Sequence, residues 1–276
     1  RDVTRRTLDE CESDTEFQSR TGARRRDVAA GRLKIIEDGA GVLHPIESAY
    51  VAAEVHSLMN VDRPVVRRDD VDRLVLLVGA SLAEIRGTWA HRYIQYGKTA
   101  NFASKKSGAK PVPERSTVAA RELWYDLTKL VRPGFAFWPM AQQYRHIVPA
   151  NPDALICNHN LFDISSEQVS EREQIALTAV LNSTLIGLFK TFYGRFAGTE
   201  GNLKTEVVDV NLLEVPDVRG ISEELCGRLE GALESMQERD VGRLIEEQLM
   251  DCHLPERARK IAAGPIVLSD ELQRSD

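Results

Sequence analysis

Residues 133–164 read PGFAFWPMAQQYRHIVPANPDALICNHNLFDI, and this stretch decides the fold. Short apolar runs recur at Phe135–Trp138, Arg145–Val148, Ala154–Cys157 and Leu161–Ile164. Pro139, Pro149-Ala150-Asn151-Pro152 and Asn158-His159-Asn160 separate them. Runs this brief, punctuated by Pro and Asn, predict short strands. The next segment, Ser170–Phe192, changes period. Ile175, Thr178, Leu181, Leu185, Leu188 and Phe192 keep near-helical spacing, and Ser170 with Glu173 forms a capping box at the start. Short strands beside a long helix predict an α+β fold: a mixed, small-sheet domain with a long central helix and C-terminal helices.

Upstream, Leu33–Ile36 and Leu74–Val78 read as strands, and Ser48–Met59 reads as a helix capped by Ser48. Ser81–Tyr96 reads as helical with a break near Gly87, and Glu114–Tyr125 as a further helix. The intervening Lys98–Val118 carries lysines among Gly and Pro and predicts a basic loop. Residues 1–31 show almost no apolar periodicity and are expected to form a partly disordered lead-in. Downstream, Thr205–Val210 reads as a strand, while Glu223–Met236 and Val241–Met250 read as acidic amphipathic helices. The expected domains are therefore the lead-in 1–31, an α+β domain 32–217 and an acidic helical appendage 218–276.

The chain has 276 residues and a net charge of -6, which at first argues against a nucleic-acid partner. By region the charge separates: residues 1–85 sum to -3, 86–204 to +6 and 205–276 to -9. Arg86–His146 alone holds 11 basic and three acidic side chains, with 10 of the chain's 17 aromatics. Cations interleaved with aromatics suit a surface that pairs phosphates and packs against sugars or bases. The bland alternative is a solvated basic face over an ordinary aromatic core.

No apolar run approaches the length of a membrane span, and nothing near Arg1 resembles a signal peptide. The chain is expected to be a soluble piece of a longer protein. Four scattered cysteines without a Cys-x-x-Cys pair fit a reducing cytoplasm. There is no phosphate-binding glycine loop and no His-Glu-x-x-His; Cys157, His159 and His146 lack a fourth metal ligand.

From Ala90 to Asp217 an ordered set of motifs resembles one family. It comprises Tyr93-Ile94-Gln95-Tyr96-Gly97, Arg121-Glu122-Leu123-Trp124-Tyr125-Asp126-Leu127 and Asn158-His159-Asn160-Leu161-Phe162-Asp163-Ile164. Leu181-Asn182-Ser183-Thr184-Leu185, Gly194-Arg195-Phe196-Ala197-Gly198 and Leu213-Glu214-Val215-Pro216-Asp217 follow in order. The set resembles the C-terminal target-recognition, or specificity, region of adenine-N6 DNA methyltransferases of restriction-modification and phage-defence systems. The resemblance implies a part that reads duplex DNA for a catalytic domain elsewhere in the parent chain. That domain binds S-adenosylmethionine and holds a flipped adenine with an Asn/Asp-Pro-Pro-Tyr/Phe motif. Asn151-Pro152-Asp153 lacks the second proline and the aromatic and is read as a turn, so the chain itself is expected to be non-catalytic and without a cofactor.

On this reading Lys98, Lys105, Lys106, Lys110 and Arg115 reach phosphates. Asn101, Arg145, Asn158, Asn160, Arg195 and Asn202 are candidates for base edges or nearby phosphates. Lys204 and Arg121 are further DNA-binding candidates, Arg121 with the equal alternative of a salt bridge within the domain. Trp124 and Tyr125 are expected to pack, and Asn182-Ser183 to cap or bend the long helix. The acidic tail should pack on protein or face away from DNA. Two other classes stay open: a protein-interaction module docking an acidic partner without DNA contact, and a hydrolase with dispersed catalytic residues.

Overall fold

The computed structural model describes residues 1–58, 61, 63–100, 110–143, 146–196 and 202–238. Along the chain come α1 (Thr4–Glu10), α2 (Asp14–Thr21), α3 (Arg25–Ala29), β1 (Leu33–Glu37), β2 (Leu43–Glu47), β3 (Val51–Val55) and β4 (Arg73–Leu76). Next are α4 (Trp89–Thr99), α5 (Ser116–Ala119), β5 (Ala136–Pro139), β6 (Ala141–Gln143), β7 (Ile156–Cys157) and β8 (Leu161–Ile164). The last are α6 (Glu171–Leu181), α7 (Thr184–Tyr193), β9 (Arg195–Phe196), β10 (Asn202–Lys204), α8 (Val207–Val210) and α9 (Glu223–Glu238). The fold is α+β. Among the described residues no single helix is long and apolar enough to cross a membrane.

The chain divides into two interleaved units. Unit 1 is Arg1–His56, Arg67–Phe135 and Asn151–Ser165; unit 2 is Ser57–Val66, Ala136–Ala150 and Ser166–Asp276.

In unit 1, β1 and β2 form an antiparallel hairpin with Leu33 opposite Glu47 and Glu37 opposite Leu43. Its turn is set by Asp38, whose Oδ1 accepts from the N–H groups of Ala40 (2.8 Å) and Val42 (2.9 Å), with Gly41 at φ 80°. Residues 1–31 are not the expected lead-in. They form α1–α3, and Val3, Cys11, Phe17, Ala23 and Val28 make a buried cluster with Leu33 and Ile35 of β1. Each short helix contributes only one or two apolar side chains, too few to show a period. Ser13 caps α2 by accepting from Glu16 N–H, and Gly22 ends it in the left-handed region.

The helix expected at Ser48–Met59 is likewise not formed in its described part, Ser48–Leu58. A single turn at Ser48–Tyr50 leads into β3, which pairs antiparallel with β4 and parallel with β7. A central strand takes backbone hydrogen bonds from both neighbours, and that tertiary pairing overrides the helix preference of Ala52 and Ala53. A second buried cluster joins Ile36 and Ile46 to Val78, Ile85, Ala90, Ile94 and Tyr125. The Ser81–Tyr96 segment becomes turns, Gly87 at φ 90°, and then α4. The helix expected at Glu114–Tyr125 is reduced to α5 and turns.

In unit 2, β10 lies between β6 and β9, antiparallel to both. The strand expected at Arg145–Val148 is absent from the described part, His146–Val148. The long central helix is two helices, α6 and α7, bent by 65°. Asn182 makes the break. Its Oδ1 accepts from Val148 N–H (2.9 Å), while Nδ2 donates to Val148 O (2.7 Å) and Thr178 O (2.8 Å). Ser183 then caps α7. Thr205–Val210 holds the short helix α8 and not a strand, started by the Asp209 carboxylate accepting from Glu206 N–H. The acidic α9 packs on α6, burying Cys226 and Leu233. The expected helix Val241–Met250 lies outside the described residues.

Candidate nucleic-acid interface

Helix α4 carries the first candidate cation. Its amino end is held twice: Thr88 Oγ1 accepts from His91 N–H, and the Glu47 carboxylate accepts from Trp89 N–H (2.7 Å) and Ala90 N–H (2.9 Å). Ala90 and Ile94 face the core, which leaves Lys98 exposed in the last turn, where a cation complements the helix dipole. The outer face is fixed by Asp38. Its Oδ2 accepts from Tyr96 OH (2.8 Å) and lies 3.1 Å from His44 Nε2, and the His44 ring sits within 5 Å of Tyr93 and Tyr96. Burial opposes ionisation of Asp38, but bonds from Val42 N–H, Tyr96, His44 and Ala40 N–H outweigh it and hold the carboxyl at about 2. The sequence signal for this cluster was the Asp38-Gly39-Ala40-Gly41 turn together with Tyr93 and Tyr96 three residues apart on one helix face.

The Trp-Tyr element packs as its apolar neighbours imply. Tyr125 is buried and its hydroxyl donates to Ala80 O (2.9 Å). Trp124 lies against Gly97, where an added Cβ would stand 3.3 Å from the indole. Arg121 lies half-buried beside them. The Val112–Glu114 turn touches α4, which sets exposed Lys110 and Arg115 beside the helix that ends in Lys98. Lys98, Lys110, Arg115 and Arg121 form no ion pair among the described residues. Asn101, Lys105 and Lys106 lie outside the described residues.

The Asn158–Asn160 loop is built on His56 in the same unit. Asn158 Nδ2 donates to His56 Nδ1 (2.5 Å), Asn158 Oδ1 accepts from Asn160 N–H, and Asn160 itself is exposed. Asn158 is thus engaged within the loop, and of the pair Asn160 is the one presented to solvent. The neighbouring Cys157 thiol is pushed up to about 12, by burial first and then by Asp163 and Glu54, so it is no nucleophile at neutral pH.

Unit 2 treats its candidates differently. Arg195 is paired with Asp209 (3.0 Å) and Lys204 with Glu206 (2.6 Å). For Asn202 only the backbone, in β10, is described, and Arg145 lies outside the described residues. Two other titratable groups stand out in this unit, Lys190 buried and His146 half-buried. Lys190 is 1% exposed, over the Trp138 ring, with its ammonium 3.4 Å from Pro139 O. His146 Nε2 donates to Leu181 O at 2.7 Å. Burial lowers the Lys190 ammonium to about 7. Burial, with the Lys190 charge beside it, lowers the His146 imidazole to about 4. A Lys inside the apolar sequence of α7, with no acid on that helix, was the signal for such a residue.

The His146 shift has a direct consequence for stability. As pH falls from 6.5 towards 4 the unfolded chain takes up the imidazole proton before the folded chain does, so stability falls over that window. His146→Gln keeps a donor for Leu181 O and does not titrate. Urea unfolding at pH 7 and pH 4.5 should show the variant losing about 2 kcal/mol less than the parent over that step.

Asn151 is buried and committed to the backbone: Nδ2 donates to Gly134 O and Leu155 O, and Oδ1 accepts from Leu155 N–H. Asp153 accepts from Arg67 and from Arg68 N–H. This Asn-Pro-Asp builds a turn and does not present an amide to an adenine or a methyl donor. Among the described residues no group of three His, Cys, Asp or Glu side chains could hold a metal ion. No family model matches the chain, and no curated protein or solved structure matches it.

Proposed function

We propose that the chain is the DNA-reading part of an adenine-N6 DNA methyltransferase of the restriction-modification or phage-defence type. It acts in the cytoplasm beside a catalytic domain of the parent enzyme that binds S-adenosylmethionine, and it does not itself transfer a methyl group. The observation that carries the reading is the state of the cations in unit 1. Among the described residues Lys98, Lys110 and Arg115 form no ion pair, and Arg121 forms none though its charge reaches the Asp126 carboxyl, while Arg195 and Lys204 of unit 2 are paired within the protein. Unpaired cations on a rigid helix end and its neighbouring turn are what phosphate binding requires, because each contact releases condensed counterions. Lys105 and Lys106, between Ala103 and Gly108 in sequence, extend the same basic stretch. The ordered motifs of residues 90–217 supply the enzyme class.

Duplex binding across a salt series tests the reading. The parent chain should lose affinity steeply with salt. Replacing Lys98, Lys110, Arg115 and Arg121 by Ala should flatten the log–log slope by about 3–4, at roughly 0.9 per phosphate contact. Lys105→Ala with Lys106→Ala should remove a further ~2 by the same arithmetic. Lys204→Ala should change the slope by less than about one. Binding that is undetectable at low salt, or indifferent to all six substitutions, would return the chain to the protein-interaction class.

A further inference from the structure

Helix α4 has a polar face that phosphate binding at its carboxyl end leaves unused. Its sequence, WAHRYIQYGKT, carries Arg92, Gln95 and Lys98 and no acid. Ala90 and Ile94 are buried, whereas Arg92 and Gln95, three residues apart and so one above the other, are exposed. An ordinary solvated helix face carries both signs, as α6 does with Glu171, Arg172 and Glu173. The carboxylates bonded to α4 among the described residues are already engaged. Glu47 accepts from the N–H groups of Trp89 and Ala90, and Asp38 from the Tyr96 hydroxyl.

The two exposed side chains are held out but not used within the protein. The Arg92 guanidinium lies over the Trp89 ring, 4.5 Å from its centre, and forms no ion pair among the described residues. Stacking of that kind fixes the plane of the guanidinium and leaves its N–H edge available for a planar acceptor pair. The Gln95 side-chain amide makes no hydrogen bond among the described residues. The helix beneath them is rigid: Thr88 caps it, Trp124 lies against Gly97 and Asp38 holds Tyr96. An α-helix is about 10–12 Å across with its side chains, and the major groove of duplex DNA is about 12 Å wide. Along the helix axis Arg92 and Gln95 stand about 4.5 Å apart, close to the ~3.4 Å between successive base pairs.

We infer, resting on the DNA reading above, that α4 enters the major groove and reads sequence there. Arg92 pairs with O6 and N7 of a guanine, and Gln95 with N6 and N7 of an adenine in the adjacent base pair. Lys98, Lys110 and Arg115 hold flanking phosphates and set the register.

The test selects from a pool of random duplexes with the full chain, with Arg92→Lys and with Gln95→Ala, and sequences what each enriches. The parent should enrich a motif with guanine and adenine at adjacent positions. Arg92→Lys keeps the charge and loses the planar fork, so the guanine preference should fall by about tenfold or more. Gln95→Ala should lower the adenine preference beside it by a similar factor. Neither variant should change the salt dependence of binding to one unselected duplex, which a loss of folding would change. Salt-dependent binding with the same motif in all three proteins, or with no motif in the parent, would overturn the role of α4 and leave phosphate binding standing. No binding to any duplex at low salt would overturn both.

Discussion

Phe17→Ala will lower folding stability by about 3–5 kcal/mol, the cost of emptying a closed aromatic site. Phe17 is wholly buried on α2, packed in one cluster with Val3, Cys11, Ala23, Val28, Leu33 and Ile35. The surrounding elements are short and tied at both ends. Val3 N–H donates to Ile35 O, and the Thr4 hydroxyl accepts from Ile35 N–H, so α1 cannot collapse into the void without breaking its seam with β1. Were residues 1–31 a solvated lead-in, the same substitution would stay within about 0.5 kcal/mol. Equilibrium unfolding in urea distinguishes the two, with Arg24→Ala, at an exposed position, as the neutral control.

Lys190→Met will stabilise the protein at pH 6 by about 2–4 kcal/mol and have little effect at pH 11. The unfolded chain binds the ammonium proton below about 10.5, whereas the folded chain, having buried the group, does not bind it until about 7. The unfolded state therefore holds more protons between those values, and stability rises with pH across that window. Below 7 both states are charged and the full cost of the buried ammonium is present; above 10.5 both are neutral and the cost is gone. Methionine fills a similar volume under the Trp138 ring and carries no charge, so it removes the slope. Parallel urea titrations of parent and variant at pH 6, 8 and 10 should converge as pH rises. Curves that stay parallel would mean that Lys190 does not titrate in that range.

How far the fold was legible depended on whether an element was decided by its own residues. β1, β5 and β8 fall where their short apolar runs lie, and the Ser170–Glu173 box starts α6 at its expected place. β3 was read as a helix because its neighbours β4 and β7 are distant in sequence, and pairing with both is what makes it a strand. The break between α6 and α7 falls at Asn182-Ser183, the pair expected to cap or bend the long helix, even though Leu181 and Leu185 keep helical spacing across it. What bends the chain is the Asn182 amide grasping Val148, 34 residues away. In the candidate interface, the basic excess of residues 86–146 pointed to the cations of unit 1. Charge alone could not show that Arg195 and Lys204 are already paired, since their carboxylates, Asp209 and Glu206, belong to a region read as a strand.

The interleaving of the two units also constrains how such a protein can diverge. The chain passes from one unit to the other after His56, Val66, Phe135, Ala150 and Ser165. A recombination event with a single breakpoint between Ser57 and Ser165 therefore gives both units mixed parentage. Core partners such as Ile46 and Val78, or Trp138 and Thr205, then come from different parents. Exchange of unit 1 as a module requires several simultaneous crossovers. New binding preferences in this architecture should arise by point substitution at exposed cations and loop amides, and seldom by shuffling of segments.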